Sequence, residues 1–338
     1  DWGLTLRYNR VMDLTNLPQP IWVARPSALQ QMVAELSNSH IVAVDTESNS
    51  LYAYQEQVCL IQFSTIETDY LVDPLAISDL SSLGPIFANP HIEKVFHAAE
   101  YDVICLKRDF GFQFTNLFDT MVAARILGRK AVGLGSILKE EYGIEVDKRY
   151  QRANWGQRPL PPELLSYARF DSRFLIGLRN RMRELLLSGS LWPLAEEDFN
   201  RLCQINGHSN GNGMENACWR ISGVQDLAPQ QIAILQELCC YRDEQARQAN
   251  RPAFKIMSNQ SLIDIAQAAP RTPDALQRIR SLSGTQLHRH TNNLLRAVER
   301  GLKNPPPVRP VVERPDEILI LRIDGLRAWR RQMGLKLG

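Results

Sequence analysis

The sequence predicts an α/β domain with a mixed β-sheet, followed by a small all-α helical bundle. Between about residues 20 and 190, short segments rich in β-branched and aromatic residues alternate with helical periodicity, which is typical of α/β domains. Beyond them no strand pattern remains, and amphipathic segments separated by turn sequences continue to residue 304. The 338 residues also exceed the roughly 100–200 residues of one domain, so we expect at least two cores.

The first strands of the sheet are predicted in chain order. Ile21–Ala24 and Ile41–Thr46 are strand-like segments on either side of a helix that Ser27 is expected to cap. Val58–Ser64 and Tyr70–Val72 are separated by a short polar stretch and are expected to form a hairpin. The sheet is therefore expected to be mostly antiparallel at its start.

One more strand and a series of helices complete the predicted α/β domain. The strand is Lys94–His97. Helices are predicted at Ser78–Ala88, Tyr101–Asp109, Asp119–Leu127, Leu134–Tyr142 and Glu163–Leu187.

The pattern also predicts where the domains begin and end. The α/β domain is assigned to residues 1–190, and a helical connector to residues 191–221. A helical bundle is expected at residues 222–303, and a stiff proline-rich linker at residues 304–315. Residues 316–338 are interpreted as the first helix of a second helical domain that the chain truncates.

The bulk composition is that of a soluble globular protein, with 44% hydrophobic and 22% charged residues. No stretch approaches the roughly 20 apolar residues that cross a bilayer, and the first residues lack the features of a signal peptide. We therefore expect a cytoplasmic location and no membrane partner. A cluster of Cys203, His208 and Cys218 would lack a fourth ligand, and no Cys-x-x-Cys pair occurs, so structural zinc is not expected.

The charges are distributed unevenly, although the net charge is only +2. Residues 40–120 hold 12 acidic and 3 basic side chains, whereas residues 121–338 hold 33 basic and 22 acidic ones. An acidic region that can collect cations, joined to a basic region that can hold phosphates, favours a nucleic-acid enzyme. The alternative is a difference in surface charge without functional meaning.

Two carboxylates follow the apolar segment Ile41–Val44. Asp45 and Glu47 are two residues apart, so both side chains leave the same face of the strand, at the edge of a buried sheet. Carboxylates held side by side repel each other and need a partner such as a cation. The alternative is an ordinary solvated strand face, because an Asp-x-Glu triplet is common.

A tyrosine and an acid lie on one face of a later predicted helix. Tyr167 and Asp171 are four residues apart, and Asp171 borders an apolar stripe. An acid in this position is expected either to bind a ligand or to pair with Arg169, Arg173 or Arg179.

Two further acids lie at predicted helix starts. Asp102 follows a strand that ends in His-Ala, and Asp119 begins another predicted helix. Each either complements the dipole of its helix or contributes to a site.

Five separated motifs occur in a fixed order along the chain: VAVDTE, VFHAAEYD, LFDTMVAARIL, WGQRPL and YARFD. Their order and spacing resemble the DEDD exonucleases, in the tyrosine-containing subgroup, and more specifically the ribonuclease D family. The helical region resembles the helicase and ribonuclease D C-terminal (HRDC) domain through LCCYRDEQARQANRPAFKIMSNQSLIDIAQAAP. The resemblance covers most of residues 20–304 and implies a ribonuclease H-like exonuclease domain with a mixed sheet, followed by an HRDC bundle.

The resemblance implies a metal-dependent 3′→5′ exonuclease in which Asp45, Glu47, Asp102 and Asp171 hold two divalent cations. Oxygen ligands without a convergent histidine or thiolate suit Mg²⁺ or Mn²⁺ rather than zinc. By resemblance, Asp45 bridges both ions, Glu47 and Asp171 bind the ion beside the attacking water, and Asp102 binds the other. Tyr167 is expected to stay protonated and to orient the attacking water.

The resemblance also separates ligands from neighbouring residues. It treats Asp119 as part of a structural block rather than as a ligand. The chain departs from the family pattern at Ser172, where an apolar residue is common, and at Arg169, where a small residue is usual. Neither departure removes a ligand, although Arg169 is a candidate for altered substrate contact.

Four residues are candidates for direct contact with the substrate. Thr46 lies between two ligands and His97 precedes Asp102, so both are expected near the terminal nucleotide; for His97 the alternative is a structural histidine. Trp155 and Arg158 are expected either to stack and pair with the nucleic acid or to pack against the domain. In the helical region, phosphate contacts or a solvated face are the alternatives for Arg242, Arg247, Arg251, Lys255, Arg271 and Arg289.

The expected function is 3′→5′ exoribonuclease activity that releases nucleoside 5′-monophosphates from RNA 3′ ends, such as those of tRNA precursors. One alternative is a DNA-directed 3′→5′ exonuclease acting on single-stranded DNA, because the carboxylates do not select the sugar. The other is an RNA-binding scaffold with an inactive site, which the complete ligand set disfavours. No nucleotide cofactor is expected, because Gly128, Gly133 and Gly135 lack the Gly-Lys-Ser/Thr sequence of a phosphate loop.

Overall fold

The computed structural model describes residues 18–207, 218–308 and 316–337. These residues form two compact units. The first contains residues 18–207 together with 243–256, and the second contains residues 218–242, 257–308 and 316–337. The domain boundaries expected from the sequence stay a prediction. Parts of the expected exonuclease domain, connector and linker, and His208 of the cysteine–histidine cluster, lie outside the described residues.

The first unit is built on a six-stranded mixed sheet. Its strands are β1 (Ile21–Val23), β2 (Ile41–Ser48), β3 (Val58–Ser64), β4 (Asp69–Val72), β5 (Glu93–Phe96) and β6 (Leu117–Asp119). They are ordered β1-β4-β3-β2-β5-β6. The pairs β2–β3 and β3–β4 are antiparallel, whereas β1–β4, β2–β5 and β5–β6 are parallel. The predicted α/β class with a mixed sheet, and the predicted hairpin, are therefore confirmed.

Helices cover both faces of this sheet. They are α1 (Pro26–Ser37), α2 (Gly84–Ala88), α3 (Glu100–Phe110), α4 (Thr120–Ile126), α5 (Leu134–Tyr142), α6 (Pro162–Arg173), α7 (Leu175–Ser188) and α8 (Trp192–Cys203). Alternation along β2 explains the two layers, because successive side chains point to opposite faces. Val42 and Val44 pack into the cluster that contains residues of α1 and α3, whereas Ala43 packs with residues of α7 and α8. Asp45 and Glu47 continue the face of Ala43.

Several details of the predicted elements are wrong. The helix after β1 begins at Pro26, and Ser27 does not cap it; the N-cap is Arg25, which makes no side-chain capping bond. The segment predicted as one helix from Ser78 forms a short 3₁₀ turn at Ser81–Leu83 followed by α2. Strand β6 is missed, and its last residue, Asp119, is predicted instead as the start of a helix.

The long helix predicted at Glu163–Leu187 is interrupted at Phe174, which ends α6 and precedes α7. Neither glycine nor proline marks this break, so the sequence carries no signal for it.

Further helices follow residue 218: α9 (Pro229–Gln248), α10 (Ala253–Ile256), α11 (Asn259–Ala268), α12 (Pro273–Gln277), α13 (Gly284–Lys303) and α14 (Glu317–Leu337). Among the described residues beyond β6 no strand occurs, as predicted. In the second unit, α9 and α13 approach closely at Gly301, whose carbonyl accepts a 2.5 Å hydrogen bond from Gln230. Arg300 and Glu237 form an ion pair of 2.6 Å between the same helices.

The segment at residues 317–337 is helical, as expected, while its assignment to a second bundle stays a prediction. None of the helices described combines the length and the apolar character that spanning a membrane requires.

Candidate active site

Three of the predicted metal ligands converge on the sheet face that carries Ala43. Asp45 and Glu47 point from β2 to this face, and α6 packs across β2, β3 and β4 with Asp171. Carboxylate oxygens of Asp45, Glu47 and Asp171 all lie within 4.8 Å of one another. The side chains of the three acids are thus placed to share a cation.

Contacts with two strands hold α6 in this position. Asp69 on β4 pairs with Arg169 at 2.8 Å and with Arg173 at 3.4 Å. Ser172 and Ser64 on β3 form a hydrogen bond of 2.8 Å between their hydroxyl groups. Because Arg169 points to β4, its side chain does not line the cavity described below. Both unusual residues of this helix therefore anchor it to the sheet.

The arginine alternative for Asp171 is wrong. Arg169 and Arg173 pair with Asp69, and Arg179 pairs with Glu93. None of the three arginines thus pairs with Asp171, whose carboxylate accepts a hydrogen bond from Tyr167 and faces the other acids.

Asp102 lies in the first turn of α3, beside the cluster, but is not one of the three converging acids. It accepts a hydrogen bond of 2.5 Å from the Thr46 hydroxyl, and Thr46 stands between Asp45 and Glu47 on β2. Of the neighbouring charges, that of Asp102 raises the pKa of Asp45 most, after burial. Asp102 is thus tied to the site through Thr46 and through its charge.

Burial raises the pKa of every acid of the site, and repulsion from the other carboxylates adds to it for Asp45, Glu47 and Asp171. For Asp45 and Glu47 the pKa is raised well above the usual value, first by burial and then by the other carboxylates. Burial likewise raises the pKa of Asp102 to about 7, although the hydrogen bond from Thr46 by itself lowers that pKa. Burial also raises the pKa of Asp171 to about 7, although a hydrogen bond from Tyr167 by itself lowers that pKa. A divalent cation would remove this repulsion, so the donor set fits a hard metal.

A cavity of about 470 Å³ opens above these acids. It is lined by Asp45, Thr46, Glu47, His97, Ala98, Met121, Gly133, Leu134, Gly135, Ser136, Val146, Gln151, Tyr167 and Asp171. Gln151, which hydrogen-bonds Tyr167, is not among the residues predicted for the site. Neither are Gly133 and Gly135, which lack a phosphate-loop sequence but line the cavity at the start of α5. No motif marks these residues.

Tyr167 stands one helical turn before Asp171. Burial, followed by the charges of Asp171 and Glu47, raises the pKa of its hydroxyl above the usual value. Its ring packs against Tyr150 and Trp155, at centroid distances of 5.8 Å and 6.1 Å. The hydroxyl is therefore protonated at neutral pH and is a hydrogen-bond donor inside the cavity.

The positions of Trp155 and Arg158 favour packing over contact with a nucleic acid. Trp155 is 1% exposed and supports Tyr167 from the core. Arg158 pairs with Asp73 at 2.7 Å and donates to the Cys59 carbonyl at 2.7 Å. Neither side chain lines the cavity.

His97 lies at the end of β5 with a defined tautomer. Its Nδ1 is 2.9 Å from the Thr120 hydroxyl, which donates to the Phe96 carbonyl at 3.0 Å. Because this hydroxyl has one proton, it must accept from Nδ1–H, and Nε2 carries the lone pair. Burial lowers the pKa of His97 to about 4, so the ring is neutral.

Asp119 has a structural role, as the family pattern implies. Its carboxylate accepts backbone hydrogen bonds of 2.7–3.1 Å from Ala98, Ala99, Met121 and Val122. It thereby caps α4 and holds Ala98, whose φ of 63° is left-handed. This turn directs the chain from His97 into the helix that carries Asp102.

Two family models match the chain in sequence order. The 3′-5′ exonuclease model matches residues 20–187, and the HRDC domain model matches residues 231–298. Ribonuclease D of Desulfotalea psychrophila is 30% identical over 278 residues, which cover 81% of this chain and 73% of that protein.

Longer relatives are also similar. The exosome complex exonuclease RRP6 of Saccharomyces cerevisiae is 32% identical over 304 residues, 84% of this chain and 41% of that protein. Protein RRP6-like 1 of Arabidopsis thaliana is 32% identical over 319 residues, 88% of this chain and 49% of that protein. The chain thus spans less than half the length of these two relatives.

Solved structures agree with the sequence matches. The catalytic core of RRP6 from Trypanosoma brucei has a TM-score of 0.72 and 29% identity, and the match covers 86% of this chain and 82% of that one. Escherichia coli RNase D has a TM-score of 0.71 and 26% identity, with 88% and 80% coverage. From its two matched domains and its ribonuclease D relative, the chain belongs to the ribonuclease D family, in which a 3′→5′ exonuclease domain precedes an HRDC domain.

Proposed function

We propose that the protein is a metal-dependent 3′→5′ exoribonuclease that releases nucleoside 5′-monophosphates. The observation that carries this proposal is the convergence of Asp45, Glu47 and Asp171 within 4.8 Å in a cavity that also contains Tyr167. Family membership supports the reaction, because the relatives are a ribonuclease D and an exonuclease. The intact acids and tyrosine disfavour an inactive scaffold.

Exonucleases of this family depend on divalent metal ions, and the all-oxygen donor set fits Mg²⁺ or Mn²⁺. We assign Asp45, Glu47 and Asp171 to one cation. Asp102 and Asp45 together would hold a second cation. Asp102 is linked to the site by the effect of its charge on Asp45 and by its hydrogen bond with Thr46. Two cations so placed would activate water and stabilise the leaving 3′ oxygen during phosphodiester hydrolysis.

The protein's own groups position the reactants. In this structure the Tyr167 hydroxyl donates its one proton to Asp171, and Gln151 donates to the hydroxyl oxygen. With the Asp171 carboxylate bound to a cation, the same proton would be available to hydrogen-bond the attacking water. Thr46 fixes Asp102 and lines the cavity beside the terminal nucleotide. Trp155 acts indirectly, by packing behind Tyr167.

His97 offers a contact that depends on the sugar. Its neutral ring presents the Nε2 lone pair, while Nδ1 is engaged by Thr120, and the residue lines the cavity. A lone pair accepts a hydrogen bond from a hydroxyl group, and RNA carries a 2′-hydroxyl at each nucleotide where DNA has none. We therefore assign His97 to a 2′-hydroxyl near the RNA 3′ end.

Structured RNA is the proposed substrate class, with tRNA precursors as the substrate expected from the sequence. Escherichia coli RNase D is described as an exoribonuclease involved in structured RNA processing, which supports this choice over DNA. The cytoplasmic location and the phosphate contacts of the helical region stay predictions.

The test uses the full chain with 5′-labelled single-stranded RNA and DNA of one sequence. We expect stepwise shortening of RNA with Mg²⁺ or Mn²⁺, release of nucleoside 5′-monophosphates, and no reaction with chelator or in Asp45→Asn. Asp79→Asn removes an exposed charge and is the matched control. RNA cleavage that survives both chelator and Asp45→Asn would refute the metal site, and faster cleavage of DNA would establish the DNA-directed alternative.

The sugar contact is tested separately. RNAs with one 2′-deoxynucleotide at each of the last three positions are compared in the wild type and in His97→Phe. We expect one position to slow the wild type about tenfold, the effect of losing one good hydrogen bond to a buried partner, and to leave His97→Phe unaffected. An equal penalty in both proteins would remove His97 from sugar recognition.

A further inference from the structure

Gln62 is a buried amide beside the metal-binding acids. It lies in the middle of β3 and is 0% exposed. Within the described part of the chain, neither Nε2 nor Oε1 of its side chain has a hydrogen-bond partner. Buried amides are nearly always hydrogen-bonded, so an amide with both polar atoms unpaired needs an explanation.

The strand register places Gln62 directly opposite Asp45. The two residues are partners in the antiparallel pair of β2 and β3. Side chains that face each other in such a pair leave the same side of the sheet, with Cβ atoms about 4.5–5.5 Å apart. The amide of Gln62 and the carboxylate of Asp45 are therefore close neighbours.

Helix α6 covers Gln62 from above. On one side of it along β3, Leu60 packs in a cluster with Tyr167 and Ala168. On the other side, Ser64 hydrogen-bonds Ser172. Gln62 thus lies under the turn of α6 that carries Asp171, between the acid from the sheet and the acid from the helix.

An amide suits this position chemically when the acids are ionised. A carboxylate accepts hydrogen bonds but cannot donate them, and the side-chain NH₂ of glutamine has two donors. Unlike lysine or arginine, glutamine donates without bringing a positive charge that would compete with a cation. A leucine of similar size would fill the same space in a fold that did not need the amide.

We propose that Gln62 is a positioning residue for the metal site: its amide Nε2 donates to the Asp45 carboxylate when divalent cations are bound, and so fixes the orientation of that ligand. This inference rests on the metal-dependent function proposed above and names a residue that acts through Asp45. It also explains why an unpaired amide persists in the core of the sheet.

Three variants of the full chain test this role. Gln62→Leu and Gln62→Met remove the amide at nearly constant volume, and Ser64→Ala removes the hydrogen bond between Ser64 of β3 and Ser172 of α6. Each protein is compared with the wild type in thermal unfolding with chelator, in Mn²⁺ binding by calorimetry, and in RNA cleavage across a Mn²⁺ series.

We expect the amide variants to unfold at the wild-type temperature or above it when chelator is present. Their Mn²⁺ affinity is expected to fall about tenfold or more, as for other groups that orient metal ligands. Higher Mn²⁺ concentration is expected to restore cleavage, and the KM for RNA to stay unchanged. Ser64→Ala is expected to keep the wild-type Mn²⁺ affinity.

Two outcomes overturn the proposal. Wild-type Mn²⁺ affinity in the amide variants would show that Gln62 does not orient Asp45. Failure of both variants to fold, or a large loss of stability in chelator, would show that the fold itself needs the amide. If the wild type neither binds Mn²⁺ nor cleaves RNA, the proposed function fails instead, which separates the two hypotheses.

Discussion

The ion pairs between Asp69 and α6 are expected to decide whether the active site forms. The side chain of Asp69 is 4% exposed, and those of Arg169 and Arg173 are each 8% exposed. Asp69→Asn keeps the size of the side chain but leaves two buried guanidinium groups without their counter-charge. Both arginines belong to the helix that carries Tyr167 and Asp171.

The magnitude follows from the burial of the network. Removing one partner of a buried ion pair destabilises a protein by about 3–5 kcal/mol. In a domain of this size each kcal/mol lowers the melting temperature by about 2–4 °C, so the expected loss is roughly 6–20 °C. Calorimetry or urea unfolding measures it, and RNA cleavage is expected to fall as α6 loses its anchor.

Glu145→Ala is the matched control. The Glu145–Lys139 pair has a similar length, 2.7 Å, but its side chains are 77% and 67% exposed, so little change is expected. Replacing Asp69, Arg169 and Arg173 together by leucine or methionine is expected to recover most of the stability, since apolar packing substitutes for buried ion pairs. If Asp69→Asn unfolds no earlier than Glu145→Ala, the buried network does not anchor the helix.

Three further predictions concern stability. Because the pKa values of Asp102 and Asp171 are raised to about 7, the metal-free folded state holds extra protons that the unfolded state has lost. The two acids are therefore expected to stabilise the folded state most near pH 4, and this contribution is lost as pH rises towards 7. The lowered pKa of His97 has a smaller effect in the opposite direction. Saturating Mg²⁺ is expected to abolish the fall in melting temperature between pH 5 and 8, and a fall of the same size with Mg²⁺ would contradict the assignment. Asp119→Ala leaves four backbone N–H groups without their acceptor and is expected to cost at least about 3 kcal/mol in urea unfolding; a cost under about 1 kcal/mol would argue against its capping role. Gly301→Ala would place a Cβ 2.4 Å from the backbone of α9 and is expected to cost about 1–3 kcal/mol, whereas Gly284→Ala, with nothing within 4 Å, serves as its control.

The strand-borne acids could be predicted because strand periodicity is short and local. Alternation along β2 alone places Asp45 and Glu47 on one face, whatever the rest of the chain does. Asp171 could not be assigned in this way, since three arginines of its own region were possible partners. Only the positions of Asp69 and Glu93 show where those arginines pair.

The surroundings of the acids depend on tertiary contacts that no local pattern encodes. Trp155 begins a motif that fits either stacking or packing, and its burial follows from its packing in one cluster with Leu60 of β3 and Leu71 of β4. Ser136, in the first turn of α5, and Gln151, in a 3₁₀ turn at Lys148–Arg152, reach the cavity because of the path of the chain between α4 and α6. Gln62 lies in an apolar strand, and its sequence context does not indicate that its side chain faces Asp45. Only the register of β2 and β3 shows this.

The three converging acids come from distant parts of the chain, two from an early strand and one from α6, near the end of the exonuclease domain. A nascent chain that has left the ribosome only as far as β6 holds Asp45 and Glu47 but lacks Asp171. The cluster of three acids therefore cannot assemble until synthesis of the domain is nearly complete. In the proposed mechanism, a chain that still lacks Asp171 has an incomplete ligand set and is not expected to cleave the RNA around it.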